Sequence, residues 1–221
     1  MKIKICGLTR PDEAQIINDY EVDYAGFVFY GPSKRNVTST QAKEIMERLS
    51  KDVKKVAVMV SPDVSDIEEI QRLPFDVLQI HKELKPEVIE AAKLPIWYAA
   101  NISDEEAAKK KQSFIDELPT HLSEKIEAIL MDAPDFGSGK TFNWHKSRRL
   151  LKAGAQSPPD KKDRRLILAG GLNPDNVAEG IRIFSPDIVD VSSGVEGSNG
   201  KDREKIDRFV NAVRCYKVEG D

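Results

Sequence analysis

The sequence has 221 residues, with 34 lysines and arginines against 37 aspartates and glutamates, so its formal net charge is −3. This near balance excludes the broad basic surface of nucleic-acid-binding proteins and the charge excess of a disordered chain. The longest apolar runs are strand-sized, such as Leu166–Ala169, whereas a bilayer span needs roughly 20 residues. We therefore expect a soluble globular protein with no nucleic acid and no membrane as partner.

The two cysteines, Cys6 and Cys215, lie near opposite ends of the sequence. They form neither a CxxC pair nor a disulfide framework, which favours a reducing compartment. The segment Met1–Cys6 alternates charged and apolar side chains and lacks the continuous apolar run of a signal peptide. The expected location is the cytoplasm.

Short β-rich runs recur along the chain, and each is followed by a helical pattern. Four of them are almost entirely apolar, which is typical of strands that are covered on both faces. The strand starts are about 27 residues apart, the length of one βα unit. The predicted strands are Lys2–Cys6, Tyr24–Phe29, Lys55–Val60, Val77–Ile80, Ile96–Ala99, Ala128–Met131, Leu166–Ala169 and Ile188–Val191.

Helix start signals lie between these strands, as capping residues or as prolines suited to a first turn. The signals are Thr40 before Gln41–Leu49, Ser65 before Asp66–Leu73 with Glu68 at capping-box spacing, Ser103 before Asp104–Leu118, and Pro86 and Pro174 in first turns. Alternating βα units imply a parallel sheet, and eight of them favour a single α/β domain over residues 1–221, a (β/α)8 TIM barrel. The alternative is an open doubly wound sheet, but the first strand–turn lacks the G-x-G-x-x-G fingerprint.

In such a barrel, functional side chains lie at the C-terminal ends of strands and in the loops that follow. Glycines after the seventh and eighth strands, Gly170, Gly171 and Gly194, can direct backbone N–H groups at a phosphate. A tight turn without a ligand would use the same glycines, so both interpretations stay open. The segment Gly139–Thr141 is not part of a P-loop, because Pro134 stands where that motif needs glycine.

Four other strand-end residues carry reactive groups. Cys6 and Asp132 can act as a base and an acid if their surroundings tune their pKa values. Taken alone, Cys6 can equally be a small buried apolar residue, and Asp132 can cap a helix or anchor a loop. His81 fits a structural strand-end histidine as well as a ligand, and Arg35 can bind a planar carboxylate or phosphate or remain solvated.

Taken together, these strand ends resemble the phosphoribosylanthranilate isomerase family of tryptophan biosynthesis over nearly the whole chain. A single matching block would be weak evidence, but six in order, each at a strand end, are highly specific. The blocks are Lys4–Thr9, Gly26–Tyr30 with Ser33 and Arg35, Gln79–His81, Asp132 with Gly137–Trp144, Ala169–Val177, and Val189–Glu196.

The resemblance implies an isomerase, an intramolecular oxidoreductase of aldose–ketose type, with no cofactor and no metal. The implied reaction is the Amadori rearrangement of N-(5-phosphoribosyl)anthranilate to 1-(2-carboxyphenylamino)-1-deoxyribulose 5-phosphate. In the family pattern, Asp132 is the general acid that opens the ribose ring, and Cys6 is the general base at C2′. Two strand ends across a barrel suit this task, because the reaction needs an acid and a base on opposite sides of one sugar.

The resemblance also implies the residues that hold the substrate. Arg35 would pair with the anthranilate carboxylate, and Asp190 would hydrogen-bond a sugar hydroxyl. The remaining substrate-binding residues, with the phosphate held by backbone groups near Gly171 and Ser193–Gly194, are His81, Gly170, Gly171, Ser192, Ser193 and Gly194. The partner is thus a phosphorylated sugar–anthranilate, and both a monomer and a homodimer remain open.

This chain departs from the family pattern at four positions. Lys82 stands after His81 where the family usually has glycine, and Asp135 adds an acidic side chain near an anionic substrate. Met59 in the third strand and Phe136 in the sixth loop are expected to reshape the anthranilate pocket.

Two other functions compete with this interpretation. A related sugar isomerase of the imidazole pathway, or an enzyme doing both reactions, would use two aspartates and show half-barrel repeats, whereas this chain has Cys6 and no repeat. A non-catalytic barrel could have kept only the phosphate site as a sensor. The presence of both Cys6 and Asp132 argues against it.

Overall fold

The computed structural model describes residues 1–101, 110, 113–132 and 164–216. Its strands form one closed parallel barrel in sequence order, in which the first strand pairs with the second and the last. The predicted (β/α)8 barrel is confirmed, and the open doubly wound sheet is wrong. The strands are β1 (Lys2–Cys6), β2 (Tyr24–Phe29), β3 (Lys54–Val60), β4 (Val77–His81), β5 (Ile96–Asn101), β6 (Ile126–Asp132), β7 (Arg165–Leu168) and β8 (Ile188–Val191).

Alternation along each strand separates two apolar layers. On β1, Ile3 and Ile5 pack with the layer beneath the helices, while Cys6 belongs to the cluster inside the barrel. Successive side chains of a strand point to opposite faces, so Lys4 also points into the barrel. The interior is filled largely by apolar side chains, among them Tyr24 and Trp97, whose rings meet edge to face at 4.9 Å. Most of the interior is therefore packed core, and room for a ligand is expected at the ends of the strands.

Helices follow the strands around the barrel. Their bounds are α1 (Glu13–Asp19), α2 (Ser39–Met46), α3 (Val64–Ile70), α4 (Pro86–Ala91), α5 (Thr120–Ser123), α6 (Val177–Phe184) and α7 (Arg203–Arg214), and residues 113–117 are helical as well. A short hairpin, β9 (Glu196–Gly197) and β10 (Gly200–Lys201), precedes α7. Among the helices of the described ranges, none is long and apolar enough to cross a membrane.

Two predicted helix starts are wrong by about one half-turn. The cap of α2 is Thr38, whose hydroxyl accepts from the Gln41 backbone N–H at 3.2 Å, and Thr40 lies inside the helix. Asp63 caps α3 in the same way, so Ser65 is also helical. In both cases the cap keeps extended backbone angles, as an N-cap requires.

The two predicted first-turn prolines differ in outcome. Pro86 is the first residue of α4, as predicted. Pro174 lies in a turn, and α6 begins only at Val177, so that prediction is wrong. Ser103 and most of Asp104–Leu118 lie outside the described residues.

Lys82 adopts a backbone conformation that favours glycine. Its φ is 61°, in the left-handed region. The turn is held in place by two hydrogen bonds, from the Ser61 N–H to the His81 carbonyl and from the Tyr98 hydroxyl to the Lys82 carbonyl, each 3.0 Å. Glycine would suit this position because it adopts a positive φ without a steric cost.

Lys82→Gly is therefore expected to raise the free energy of unfolding by about 0.5–1 kcal/mol, because glycine adopts a positive φ without a steric cost. Urea unfolding would measure the change. The matched control is Lys54→Gly, an exposed lysine on β3 without a positive φ. It is expected to lose stability, since glycine weakens a strand. Equal losses in both variants would contradict the strain at Lys82.

Candidate active site

A cavity of about 340 Å³ opens at the C-terminal ends of the strands. Its volume falls in the range of small-molecule sites, about 300–1,000 Å³. The structure brings together around it all predicted site residues except Gly194, which lies one residue beyond its wall; those that line it are Cys6, Arg35, His81, Asp132, Gly170, Gly171, Asp190, Ser192 and Ser193.

The proposed acid and base lie on two walls of this cavity. Cys6 ends β1 and Asp132 ends β6, and both side chains are buried. The two strands are separated around the closed barrel by β7 and β8. Asp135 and Phe136, in the loop after Asp132, lie outside the described residues.

Cys6 shares its surroundings with a buried ion pair. The Lys4 ammonium is 2.7 Å from Asp190 Oδ2, and the lysine stem lies beside the Cys6 thiol next to Gly26. Burial raises the pKa of the Cys6 thiol, and the positive charge of Lys4 opposes this shift. Burial likewise raises the pKa of Asp190 against the attraction of Lys4.

Asp190 lines the cavity, and its two carboxylate oxygens differ in their partners. Its Oδ2 binds Lys4, whereas the buried Oδ1 accepts no hydrogen bond from the residues that the structure describes. A buried carboxylate oxygen without a donor is costly. A ligand hydroxyl in the cavity would supply that donor.

Arg35 forms a two-point ion pair with Glu196. Its Nε is 2.6 Å from Glu196 Oε1 and its Nη2 is 3.0 Å from Oε2, while Lys201 Nζ binds Oε1 at 2.9 Å. Burial alone would raise the pKa of Glu196, but Arg35 and Lys201 lower it to about 2. Glu196 is therefore an anion at neutral pH, and it fixes one edge of the guanidinium. Within the described ranges no side chain binds Nη1 at the other edge of Arg35, an edge that can hold a second carboxylate.

The loops after β7 and β8 are held against each other. Gly170 and Gly171 have φ values of 79° and 69°, so the turn itself requires these glycines. A Cβ on Gly194 would lie 1.9 Å from the Leu172 carbonyl oxygen, which shows how closely the two loops approach. The tight turn is thus present, and because Gly170 and Gly171 also line the cavity, it does not exclude a phosphate site.

Ser192 connects the eighth strand to the first. Its hydroxyl donates to the Cys6 carbonyl at 2.9 Å, and its own carbonyl accepts from Lys201 Nζ at 3.3 Å. Ser192 therefore stabilises the backbone at the proposed base. A contact between its hydroxyl and a ligand would require this bond to Cys6 to be shared or exchanged.

Comparison with known proteins gives this barrel a family. The family model of N-(5′-phosphoribosyl)anthranilate (PRA) isomerase matches residues 3–212. The chain belongs to this family. A curated relative from Clostridium acetobutylicum, N-(5′-phosphoribosyl)anthranilate isomerase, is 37% identical over 98% of this chain and 100% of its own length. A second, from Streptococcus mutans, is 36% identical over 96% of this chain and 98% of its own.

Solved structures of PRA isomerases share the same fold. The enzyme from Thermotoga maritima has a TM-score of 0.80 and 29% identity, covering 97% of this chain and 98% of its own. Another PRA isomerase structure contains reduced 1-(o-carboxyphenylamino)-1-deoxyribulose 5-phosphate, with a TM-score of 0.76 and 27% identity over 97% and 98% of the two chains. These matches confirm the resemblance to the PRA isomerase family and its TIM barrel, and they disfavour the imidazole-pathway isomerase.

Several features of this PRA isomerase family site escaped the sequence analysis. Lys4 stands two residues before Cys6, so strand alternation could have placed it in the same wall. Glu196 ends the last matching block, but no local signal reveals its pairing with Arg35. Lys201 gives no sequence signal. The expectation that Met59 reshapes the pocket is wrong, because Met59 packs in the layer beneath the helices and not in the cavity.

Proposed function

We propose that this chain carries out the isomerase reaction of its family with Asp132 as the general acid and Cys6 as the general base. The observation that carries this proposal is their placement at two strand ends in the walls of one cavity. A sugar that lies between them can receive a proton from one side and lose a proton to the other.

The reaction begins with two proton transfers, one from Asp132 and one to Cys6, and ends with a tautomerisation. Asp132 gives its proton to the ribose ring oxygen, the bond from that oxygen to C1′ breaks, and nitrogen supplies the electron pair of an iminium. The Cys6 thiolate takes the proton from C2′, and the electrons of that bond form C1′=C2′ as the iminium π electrons return to nitrogen. The resulting enolamine becomes the ketone by losing the C2′ hydroxyl proton and gaining one at C1′. Cys6 then loses the proton that it took and Asp132 regains the one that it gave, so the enzyme returns to its starting state and the product is an isomer of the substrate.

Three other features support a bound phosphorylated sugar–anthranilate. The free edge of Arg35 suits the anthranilate carboxylate, and Oδ1 of Asp190 suits a sugar hydroxyl. The backbone at Gly171 and Ser193 lines the cavity where the phosphate would lie. His81 lies on the wall at the end of β4, where its ring is 2.9 Å from Gln79.

Glu196→Gln is expected to raise KM about tenfold with a smaller change in kcat. The variant weakens the charge-assisted contacts that fix Arg35, and such hydrogen bonds are worth about 1.5–3 kcal/mol. Steady-state kinetics would separate the two constants. The matched control is Glu204→Gln, an exposed residue in the first turn of α7, for which wild-type constants are expected. An unchanged KM in Glu196→Gln would contradict the positioning of Arg35.

The function as a whole is tested by turnover. The purified chain should consume freshly generated phosphoribosylanthranilate, followed as loss of anthranilate fluorescence. Binding of reduced 1-(o-carboxyphenylamino)-1-deoxyribulose 5-phosphate, the ligand of one related structure, would show separately that the cavity is intact. A folded chain that binds this analogue without turnover would favour a non-catalytic barrel.

The location and assembly also belong to this proposal. A cytoplasmic location suits a site that needs Cys6 as a free thiol, and both cysteines are unpaired in the structure. The related Thermotoga maritima enzyme is described as dimeric. For this chain, which we take to be a single domain, sedimentation would distinguish a monomer from a homodimer.

A further inference from the structure

Lys4 is a buried charged group to which the reaction steps assign no role. It lies on β1 with Cys6, two residues earlier and on the same face, and none of its surface is exposed. An isolated buried ammonium would be strongly unfavourable. Burial alone would lower the pKa of Lys4, but Asp190 and Cys6 hold it above its ordinary value. Lys4 is thus an ammonium.

Strand pairing brings Lys4 to its two partners. Lys4 is in register with Asp190 on the neighbouring β8, which gives the 2.7 Å ion pair. On the other side, β2 contributes Gly26, and a Cβ there would lie 2.8 Å from Cys6 Sγ and 3.2 Å from Lys4 Cε. Glycine at position 26 therefore leaves the room in which the thiol and the lysine stem lie side by side.

The buried charged groups near Cys6 have a net positive charge that a thiolate would neutralise. Among the described residues in this wall, the buried cations are Lys4, Lys201 and Arg35, and the anions are Asp190 and Glu196. Lys34 also lies 3.6 Å from Glu196, but its side chain is 75% exposed, so solvent screens its charge. The three buried cations and the two anions sum to +1 with a neutral thiol and to zero with a thiolate. The other titratable residues that line the described walls of the cavity are Tyr30, Lys34, His81 and Asp132, whereas β2 faces Cys6 with Gly26. Of the cations, Lys4 is the one on the strand of Cys6 itself.

We infer that Lys4 is a positioning residue that provides the counter-charge for the Cys6 thiolate while it orients the Asp190 carboxylate toward the substrate. This inference rests on the proposed role of Cys6 as the base. The ammonium donates to Asp190 throughout, and it pairs with the sulfur when the thiol ionises. Without Lys4, the thiolate would form in a buried site next to a carboxylate.

The test measures how readily Cys6 ionises, in a Cys215→Ser background where Cys6 is the sole thiol. Cys215 is exposed, so its loss is expected to leave turnover unchanged. Thiolate absorbance in the ultraviolet is followed from about pH 6 to pH 10, with Cys6→Ser as the blank. This readout does not depend on whether a reagent can enter the cavity.

The decisive comparison is Asp190→Asn against Lys4→Met/Asp190→Asn, because the two proteins differ only in the lysine. In Asp190→Asn, the Cys6 thiol is expected to ionise at lower pH than in the wild type, because a neighbouring negative charge is gone. In Lys4→Met/Asp190→Asn, it is expected to ionise at higher pH than in Asp190→Asn, because the positive charge is gone as well. At a fixed pH below both midpoints, the thiolate fraction should differ at least about tenfold, equivalent to one pKa unit. The same Cys6 titration curve in both proteins would overturn the inference, since a lysine with a merely structural role would not change the pKa of the thiol.

A second measurement keeps this result apart from the base assignment. Lys4→Met should raise the pKa of the Cys6 thiol, and it should shift the rising limb of the kcat/KM–pH profile to higher pH as well. If Cys6→Ser kept its turnover while Lys4 still shifted the thiol, the base role would fail and the electrostatic one would stand. If Cys6→Ser were inactive but the loss of Lys4 left the Cys6 titration unchanged, this inference alone would fail. The double variant removes both charges together, which preserves folding better than leaving one unpaired.

Discussion

Asp132→Asn is expected to lower kcat by about 10²–10⁴-fold, the usual contribution of a positioned general acid. The amide keeps the shape of the side chain but has no acidic proton to give to the ribose ring oxygen. Asp132 is only 7% exposed at the end of β6, so the substitution is expected to leave the fold and the analogue affinity nearly unchanged. Steady-state turnover and analogue binding would measure the two effects.

Asp52→Asn is the matched control for this loss. Asp52 is exposed and precedes β3, at the opposite end of the barrel from the cavity. Wild-type turnover is expected, because that face of a barrel contributes to stability and not to chemistry. Near-wild-type turnover by Asp132→Asn would show that another group opens the ring.

Cys6→Ser is expected to cause a loss of similar size, because a serine hydroxyl does not ionise near neutral pH and cannot take the C2′ proton. The pH dependence of kcat/KM in the wild type should follow the ionisation of the Cys6 thiol. Burial raises the pKa of Cys6 above its usual value, and a base acts when it is deprotonated. The value of kcat/KM should therefore climb with pH into the alkaline range.

The control for Cys6→Ser is Cys215→Ser, since Cys215 is exposed beyond α7. It should keep both the turnover and the pH profile of the wild type. A profile that is flat from neutral to alkaline pH in the wild type would contradict a thiol base. So would a Cys6→Ser variant with wild-type kcat.

The barrel was predictable because buried parallel strands are short apolar runs at regular spacing. The bounds of β1, β2 and β8 match the prediction, and β4 and β6 extend just far enough to include His81 and Asp132. Helix starts were less predictable. Candidate capping residues lie within two positions of one another at both α2 and α3, and the backbone angles decide between them.

The candidate site was predictable where one strand end determines it, and less so where distant segments meet. Cys6 and Asp132 follow from the strand ends, but the Arg35–Glu196 pair joins residues 161 positions apart. Lys201 reaches the same cluster from a hairpin that composition does not reveal. Met59 was misplaced because alternation on β3 turns its neighbours Val58 and Val60 toward the cavity instead. Pairing between remote charges depends on the folded geometry, which spacing alone does not encode.

The most direct test compares the wild type with the double variant Cys6→Ser/Asp132→Asn on freshly generated phosphoribosylanthranilate. Residues that act as a unit are strongly non-additive, so the double variant should be about as impaired as the worse single variant. We predict wild-type turnover, no more than residual turnover by the double variant, and analogue binding by both. Turnover by the double variant at the wild-type rate would show that Cys6 and Asp132 are not the base and the acid.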